Sequence, residues 1–179
     1  MISPNFVEVL YNKATEEKAD IVTADYYVSK NGDLQEISHL GKSLADDTEE
    51  LKRKILKHGC RIWTSIFKRE LIEGNNLFFP ENVAYEDNAI GAALFLSANK
   101  IYKIDESIYY YRSDNLSETR GLDNPHFYNR LKTSVLMLEN AKKVDVDEKY
   151  ANEIDEAFVR LYYVNTIFGM LNLIFKMSI

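Results

Sequence analysis

The sequence is poor in the residue types that build disulfide-stapled or nucleic-acid-binding proteins. It contains a single cysteine, Cys60, which excludes an internal disulfide and leaves no cysteine pair for zinc. Acidic residues number 28 against 22 lysines and arginines, and the net charge of −6 argues against a protein that binds a phosphate backbone. We therefore predict a protein of a reducing compartment, the cytoplasm, with no nucleic-acid partner.

Glycine and proline are also scarce, with seven and three residues in a chain of 179. Both fall below the average usage of about 7% and about 5%, which favours long regular elements over a scaffold built from loops. Apolar residues make up 46% of the chain, so a protein of this length can bury a sizeable core. The composition predicts one domain with an appendage.

Neither a secretory signal nor a membrane span is evident in the sequence. The first ten residues lack the basic region of a signal peptide. Residues 161–175 carry no charge, but this run includes Asn165 and Asn172 and is shorter than the roughly 20 apolar residues that a span needs. We interpret the run as a buried helix; the alternative is a helix that lies on a membrane surface or packs against a partner.

Helix and strand signals alternate from the start of the chain. The pair Ser3-Pro4 has the residue types of an N-cap and a first helical turn, and predicts a helix to about residue 18. A β-branched and aromatic strand follows over 19–28. Asn31-Gly32, the strongest short hairpin signal, then turns the chain into a second strand over 34–37.

The middle of the chain continues this alternation. A capping-box pattern at residues 47–50 predicts a helix to about residue 58. Residues 61–67 are rich in β-formers and are followed by a short helix over 68–74 that Gly74 ends. The side chains that we expect to face the core from the capped helix are Leu51, Ile55 and Leu56.

The last part of the chain changes from mixed to helical character. A helix follows Glu86-Asp87 over 89–98, and two strands, 100–104 and 107–111, are joined by Asp105-Glu106. A polar loop over 113–124 precedes helices predicted over 125–142 and 148–175. We place a boundary near residues 120–124, between an α/β domain (1–120) and a C-terminal helical extension (121–179).

Two adjacent carboxylates, Glu86 and Asp87, stand where a loop becomes a helix. Neighbouring residues on a helix point in different directions, so the two acids need not act as a pair. One interpretation is that both complement the helix dipole and accept hydrogen bonds from first-turn N–H groups. The other is that one of them faces a cleft and carries chemistry.

Without reference to a family, the motifs in the sequence indicate an α/β domain and no particular activity. Trp63 is the only tryptophan, and core packing is the ordinary explanation for it and for Tyr109, Tyr110 and Tyr111, of which the first and third share a strand face. The spacing of His39, His58 and His126 does not suggest metal ligation, and the sequence has no glycine-rich phosphate loop.

Three successive segments carry a family resemblance. They read W-T-S-I-F-K-R-E-L-I (63–72), F-P-E-N-V-A-Y-E-D (79–87) and I-Y-Y-Y-R-S-D-N-L-S-E-T (108–119). In this order they resemble the inverting bacterial glycosyltransferases of family two, which have the GT-A fold. Residues 2–14 and 19–26 are similar to the stretch that follows the family's acidic D-x-D motif. The resemblance covers about residues 1–120 and implies the acceptor-side half of a GT-A domain, a mixed sheet with flanking helices.

The resemblance also implies roles for particular residues. Asp87 would be the general base that accepts a proton from the acceptor hydroxyl, and Glu86 would orient the acceptor or brace Asp87. Trp63 and Arg112 would contact the acceptor, Trp63 as an apolar platform for a sugar face. Ser117 and Thr119 are further candidates on the same loop.

The chain departs from the family at its beginning. The family's nucleotide-binding half ends in the D-x-D that holds Mg²⁺ or Mn²⁺ on the donor diphosphate, and no such motif precedes Ile2. Asp25 is not a substitute. The resemblance implies a metal ion and a nucleotide-sugar donor whose main ligands lie outside this chain, so we expect a fragment that is inactive alone.

The partners expected from this reading are a sugar or glycolipid acceptor and a second copy of the chain. Loss of the first half would leave an unpaired sheet edge, which favours self-association. The family builds bacterial surface polysaccharides or glycolipids, and the apolar C-terminal helix suggests a protein peripheral to the inner face of the membrane. The alternative to an enzyme is a non-catalytic binding or assembly module that keeps only the acceptor-side surface.

Overall fold

The computed structural model describes residues 1–38, 40–41, 47–113, 126, 128–144, 148–168 and 170–171. Its helices are α1 (Phe6–Glu17), α2 (Thr48–His58), α3 (Arg69–Glu73), α4 (Glu86–Ser97), α5 (Asn129–Lys143) and α6 (Ala151–Val159). Its strands are β1 (Ile21–Lys30), β2 (Asp33–Ile37), β3 (Ser65–Phe67) and β4 (Ile101–Arg112). Short 3₁₀ turns cover Ile62–Thr64 and Glu148–Tyr150, and a π-helix, Arg160–Phe168, continues α6.

The four described strands form one mixed sheet centred on β1. Strand β4 runs parallel to β1 along nearly its whole length, from Ile21 opposite Ile101 to Ser29 opposite Arg112. The other edge of β1 is shared end to end by β3 and β2, both antiparallel. The predicted mixed sheet with flanking helices is confirmed.

Local signals placed several elements correctly. Asn31 and Gly32 both have positive φ, 53° and 90°, as a type I′ hairpin turn requires, and β2 returns along β1. Asp47 caps α2, because its carboxylate accepts a hydrogen bond of 3.1 Å from the Glu50 N–H. The three side chains predicted to face inward from α2 are all buried: Leu51, Ile55 and Leu56.

The start of α1 differs from the prediction that Ser3 is its N-cap. The cap residue is Asn5, whose side chain makes no capping bond. Ser3 is engaged elsewhere, since its N–H donates to the Ile108 carbonyl (3.0 Å) as residues 1–3 run antiparallel along β4. The backbone hydrogen bonds of this sheet edge therefore take precedence over helix capping.

The prediction of two strands joined at Asp105-Glu106 is wrong, because residues 101–112 form the single strand β4. Asp105 and Glu106 are exposed where the register against β1 shifts. Beside this shift, the buried ammonium of Lys103 lies 2.8 Å from the Asp25 carboxylate, which also accepts a hydrogen bond from Ser38. Asp105 and Glu106 therefore form a bulge within β4 and do not end the strand.

The core lies on both faces of the sheet and extends into the helices after residue 128. Helix α1 covers one face, and the other face packs on α2 and α4. Helix α4 is buried along almost its whole length. A third cluster joins α2 and α4 to α5 and α6 through buried side chains: Leu56, Ala92, Leu96, Met137, Tyr150 and Ala157.

The C-terminal helices differ in detail from the prediction. Helix α5 begins at Asn129, and the single helix expected over 148–175 is a 3₁₀ turn, α6 and the π-helix. The expectation that residues 161–175 are buried is wrong for the described part, because Tyr163, Val164 and Phe168 are more than half exposed. The proposed boundary at 120–124 lies outside the described residues. Within the described helices, none has the length and hydropathy of a membrane span.

Candidate active site at the start of α4

The residue before the two acids has an unusual backbone. Tyr85 is left-handed (φ 63°, ψ 33°) and precedes the first residue of α4, Glu86. A bulky side chain rarely adopts this conformation, and such outliers concentrate at functional sites. The Tyr85 carbonyl accepts from the Asn88 N–H at 3.1 Å, so the strained residue also closes the first turn of the helix.

The two carboxylates occupy different environments. Glu86 is exposed, whereas Asp87 is partly buried, and its Oδ1 accepts the Asn88 N–H at 2.9 Å. Burial, followed by the negative charge of Glu86, raises the pKa of Asp87 above its ordinary value. No lysine or arginine among the described residues forms an ion pair with Asp87. A helix-dipole role accounts for the hydrogen bond but not for this unpaired, partly desolvated charge.

A close contact holds α4 against the turn after α2. Gly91 lies one helical turn after Asp87, on the same face. A Cβ at Gly91 would lie 2.8 Å from the Cβ of Cys60, so only glycine allows this approach. The charge of Asp87 contributes to raising the pKa of the Cys60 thiol, which burial chiefly lifts to about 12. Gly91 therefore sets how closely α4 approaches the turn after α2, and burial favours the protonated thiol of Cys60.

Trp63 lies in a 3₁₀ turn rather than in a strand, and it joins an aromatic cluster on the sheet. Its ring stacks on Tyr111 (centroids 5.6 Å apart) and contacts Tyr109 and Tyr26 at 4.5 and 4.9 Å. Tyr109 and Tyr111 share a face, as the strand period predicts, and Tyr110 stacks on Tyr27 on the other. The half-buried indole has one ring face covered by Tyr111.

The other predicted acceptor residues lie at the end of β4. Arg112 is exposed and pairs in register with Ser29. Among the described residues, no hydrogen bond or ion pair joins Arg112 to Asp87 or to Trp63. Ser117 and Thr119 lie outside the described residues.

The described residues do not form a recognisable metal site. No three histidine, cysteine, aspartate or glutamate side chains within the described ranges gather closely enough to hold an ion. Asp25, which the sequence analysis set aside as a metal ligand, has its carboxylate engaged by Lys103 and Ser38. We assign no metal ligands to this part of the chain.

The C-terminal helices contact the candidate site directly, which sequence reasoning missed. The guanidinium of Arg130 lies 4.3 Å from the ring centre of Tyr85, and its Nη1 donates to the Asn165 carbonyl at 3.1 Å. The buried Asn140 amide donates to the Ala89 carbonyl in the first turn of α4. The only signal in the sequence was the presence of polar residues, Asn165 and Thr166 among them, inside a mostly apolar run.

The fold matches that of part of a solved protein. The crystal structure of residues 1–349 of Staphylococcus aureus TarS superposes with a TM-score of 0.59 at 19% identity, covering 91% of this chain and 44% of that one. The complex of the same protein with UDP-GlcNAc gives a TM-score of 0.51 at 13% identity, covering 90% of this chain and 54% of that one. These matches establish the fold class.

Two curated proteins are similar in sequence, and both are named glycosyltransferases. The chain is 34% identical over 77 residues to the uncharacterized glycosyltransferase EpsJ of Bacillus subtilis, covering 40% of this chain and 22% of EpsJ. It is 27% identical over 125 residues to glycosyltransferase GlyA of Streptococcus pneumoniae, covering 62% of this chain and 17% of GlyA. No protein-family model matches the chain. The chain thus spans about a fifth of the length of these relatives, which support a glycosyltransferase-like protein.

Proposed function

We propose that this chain is the acceptor-side part of an inverting glycosyltransferase of the GT-A fold, similar to family two. It would act on a nucleotide-activated sugar and an acceptor hydroxyl. The names of the two sequence relatives and the UDP-GlcNAc complex of the structural relative support this class. The observation that carries the proposal is the partly buried carboxylate of Asp87, without a cationic partner in the described structure, at the start of α4.

In this mechanism Asp87 is the general base. Its carboxylate accepts the acceptor's hydroxyl proton while the oxygen attacks the anomeric carbon of the donor. The new C–O bond forms as the bond to the nucleoside diphosphate breaks on the opposite face, which inverts the configuration. A carboxylate with a raised pKa is the stronger base, so the burial of Asp87 suits this task.

The neighbouring residues take supporting roles in the proposal. Glu86 raises the pKa of Asp87 through its charge and, being exposed, can also orient the acceptor. Trp63, which packs among Tyr26, Tyr109 and Tyr111 and is half-buried, would offer the exposed part of its indole to a sugar ring. Arg112 would contact the acceptor from the end of β4.

The donor and its metal ion would be held outside this chain. Mg²⁺ or Mn²⁺ neutralises the diphosphate in the family that the sequence resembles, and the described residues offer no ligand cluster for it. We therefore propose that the isolated chain transfers no sugar. We also propose an acceptor that is a sugar or glycolipid of the bacterial surface, and a location at the inner face of the membrane.

The test is the Asp87→Asn substitution in the chain within its complete reading frame. Because an amide cannot accept the proton, we expect sugar transfer to fall by at least about 10²-fold while binding of the nucleotide-sugar donor is unchanged. Glu81→Gln, an exposed acid of the preceding loop, is the matched control and should leave transfer intact. Transfer that survives in Asp87→Asn would overturn the assignment of Asp87 as the base. If the complete parent protein binds the acceptor but transfers no sugar, the non-catalytic assembly module is favoured.

A further inference from the structure

A cavity of about 250 Å³ lies between the start of α4 and the C-terminal helices. Its walls come from the turn after α2, from α4 and α5, and from the π-helix. The lining includes Cys60, Asn88, Ala92, Met137, Leu161 and Asn165. The extension is thus one wall of a cavity whose other wall includes Asn88, the residue that follows the candidate base in α4.

The cavity adjoins Asp87. Asn88, the next residue, contributes to the lining. So does Cys60, and the negative charge of Asp87 helps to raise the pKa of its thiol. The contact between Gly91 and Cys60 holds this stretch of α4 against the cavity wall. A molecule in the cavity would therefore lie close to the first turn of α4, which carries Asp87.

The lining has the mixed character that a sugar ring requires. Each amide of Asn88 and Asn165 offers both donors and an acceptor, which matches hydroxyl groups. Ala92, Met137 and Leu161 supply an apolar surface for the C–H face of a ring. Two basic residues, His58 and Arg160, also line the cavity. The Arg160 guanidinium is already bonded to the Leu56 and Lys57 carbonyls, and burial lowers the pKa of His58, so the lining suits a neutral ring better than an anion.

The π-helix brings the polar wall residues together. Hydrogen bonds in a π-helix join residues five apart, so Arg160 and Asn165 lie on one face, whereas an α-helix would separate them. Thr166 is fully buried and donates from its hydroxyl to the Leu161 carbonyl, five residues earlier, at 2.7 Å. π-Helical turns are rare and are frequent at functional sites.

Arg160 fixes this wall to the core. Its Nη2 donates to the Leu56 carbonyl at 2.7 Å, and its Nη1 donates to the Lys57 carbonyl, so the guanidinium caps the end of α2. The backbone of Asn165 is held by Arg130, which donates to its carbonyl. The cavity is thus preformed.

We propose that this cavity is the acceptor subsite and binds a single neutral sugar ring, with hydroxyls on Asn88 and Asn165 and the C–H face on Ala92, Met137 and Leu161. The inference rests on the proposed function. It assigns to the C-terminal helices a direct part in acceptor recognition.

The test measures binding of simple sugars to the 179-residue chain without any donor. Methyl glycosides of glucose, galactose and N-acetylglucosamine are titrated into ¹⁵N-labelled protein, and the amide signals are followed by NMR. We expect at least one glycoside to shift the signals of Gly59, Asn88 and Ala92 saturably. Absence of shifts with all three, or shifts confined to residues around Trp63, would overturn the proposal.

Variants then locate the binding. Asn88→Ala and Asn165→Ala should each weaken binding about tenfold, since each removes one of the proposed hydrogen bonds. Ala92→Leu should abolish binding by filling the cavity. Asn152→Ala, exposed on α6 and outside the cavity, is the control and should bind as the parent does. Unchanged affinity in both asparagine variants would refute the site. Because Asn88 is half-exposed and Asn165 is exposed, these two variants test the proposal even if Ala92→Leu fails to fold.

The two proposals fail in different ways. If the glycosides bind in the cavity but Asp87→Asn retains transfer in the complete protein, the assignment of Asp87 falls and the sugar site stands. If Asp87→Asn loses transfer but no glycoside enters the cavity, the base stands and the acceptor lies elsewhere.

Discussion

Arg130 lies over the ring of Tyr85, 4.3 Å from its centre, and so ties α5 to the residue that precedes Glu86-Asp87. The same guanidinium donates to the Asn165 carbonyl of the π-helix. One side chain therefore joins the residue before α4 to the π-helix. It also stacks on the residue whose left-handed backbone sets the direction from which α4 begins.

Replacing Arg130 should loosen this junction. We expect Arg130→Ala to lower the free energy of unfolding by about 1 to 2 kcal/mol, through the lost cation–π contact and hydrogen bond. For a chain of this size, that corresponds to a melting temperature lower by about 2 to 8 °C, measured by circular dichroism. Arg69→Ala, which removes an exposed arginine on α3, is the control; an equal effect of both would contradict the role of the stacking.

Asp87 should reduce the stability of the fold at neutral pH. Because its pKa is raised in the folded state, the folded protein binds the proton more tightly than the unfolded chain does. The free energy of unfolding then falls as the pH rises through that raised pKa. Asp87→Asn, which stays neutral and keeps an oxygen for the Asn88 N–H, should be more stable than the parent at pH 7.

Urea denaturation at several pH values checks this prediction. The gain from Asp87→Asn should be present at neutral pH and disappear under acid conditions, below the ordinary pKa of aspartate, where both proteins are uncharged at this position. Glu81→Gln serves as the exposed control. A gain that does not depend on pH would indicate a packing effect instead.

The outer edge of β4 and the nearby surface of α1 favour self-association. Residues 1–3 pair with only part of this edge, and Val7 and Tyr11, one turn apart on α1, are more than 60% exposed. We expect a species larger than a monomer in light scattering after size-exclusion chromatography, and Val7→Lys should reduce it. Leu34→Lys, on the exposed hairpin, is the control. A strictly monomeric parent at all concentrations would refute the prediction.

The exposed apolar side chains of the π-helix allow a second surface prediction, that the protein binds membranes. Vesicles of phosphatidylcholine should carry the chain upward in flotation, and Phe168→Glu should reduce its recovery, because Phe168 is 61% exposed. Added anionic lipid should weaken binding, because Asp155 and Glu156 lie exposed on the adjoining α6. Val135→Glu on α5 is the control, and equal recovery of all proteins would exclude membrane binding by this face.

The elements that the sequence predicted correctly are those whose structure depends on residues close together in the chain. The Asn31-Gly32 turn and the Asp47 cap depend on residues within a few positions of each other, so short patterns suffice to find them. Strand β4 was divided in two because Asp105-Glu106 reads as a turn. The buried pairing of Lys103 with Asp25 that holds the strand together depends on residues far apart in the sequence.

The same distinction applies to the candidate site. Family resemblance pointed to Asp87 and Glu86, but a resemblance carries no information on burial, and the raised pKa of Asp87 follows from its surroundings. Arg130 was missed because its partners, Tyr85 and Asn165, lie far from it in the sequence, on opposite sides of it. Trp63 was assigned to a strand, whereas its environment is set by three tyrosines from β1 and β4.

Gly91 has no Cβ, and the side chain of Cys60 packs into the space that a Cβ would fill. A methyl group there would act as a wedge, tilting the helix away from its neighbour and carrying Asp87 with it. The position of the proposed base would thus change with one small increase in volume at residue 91.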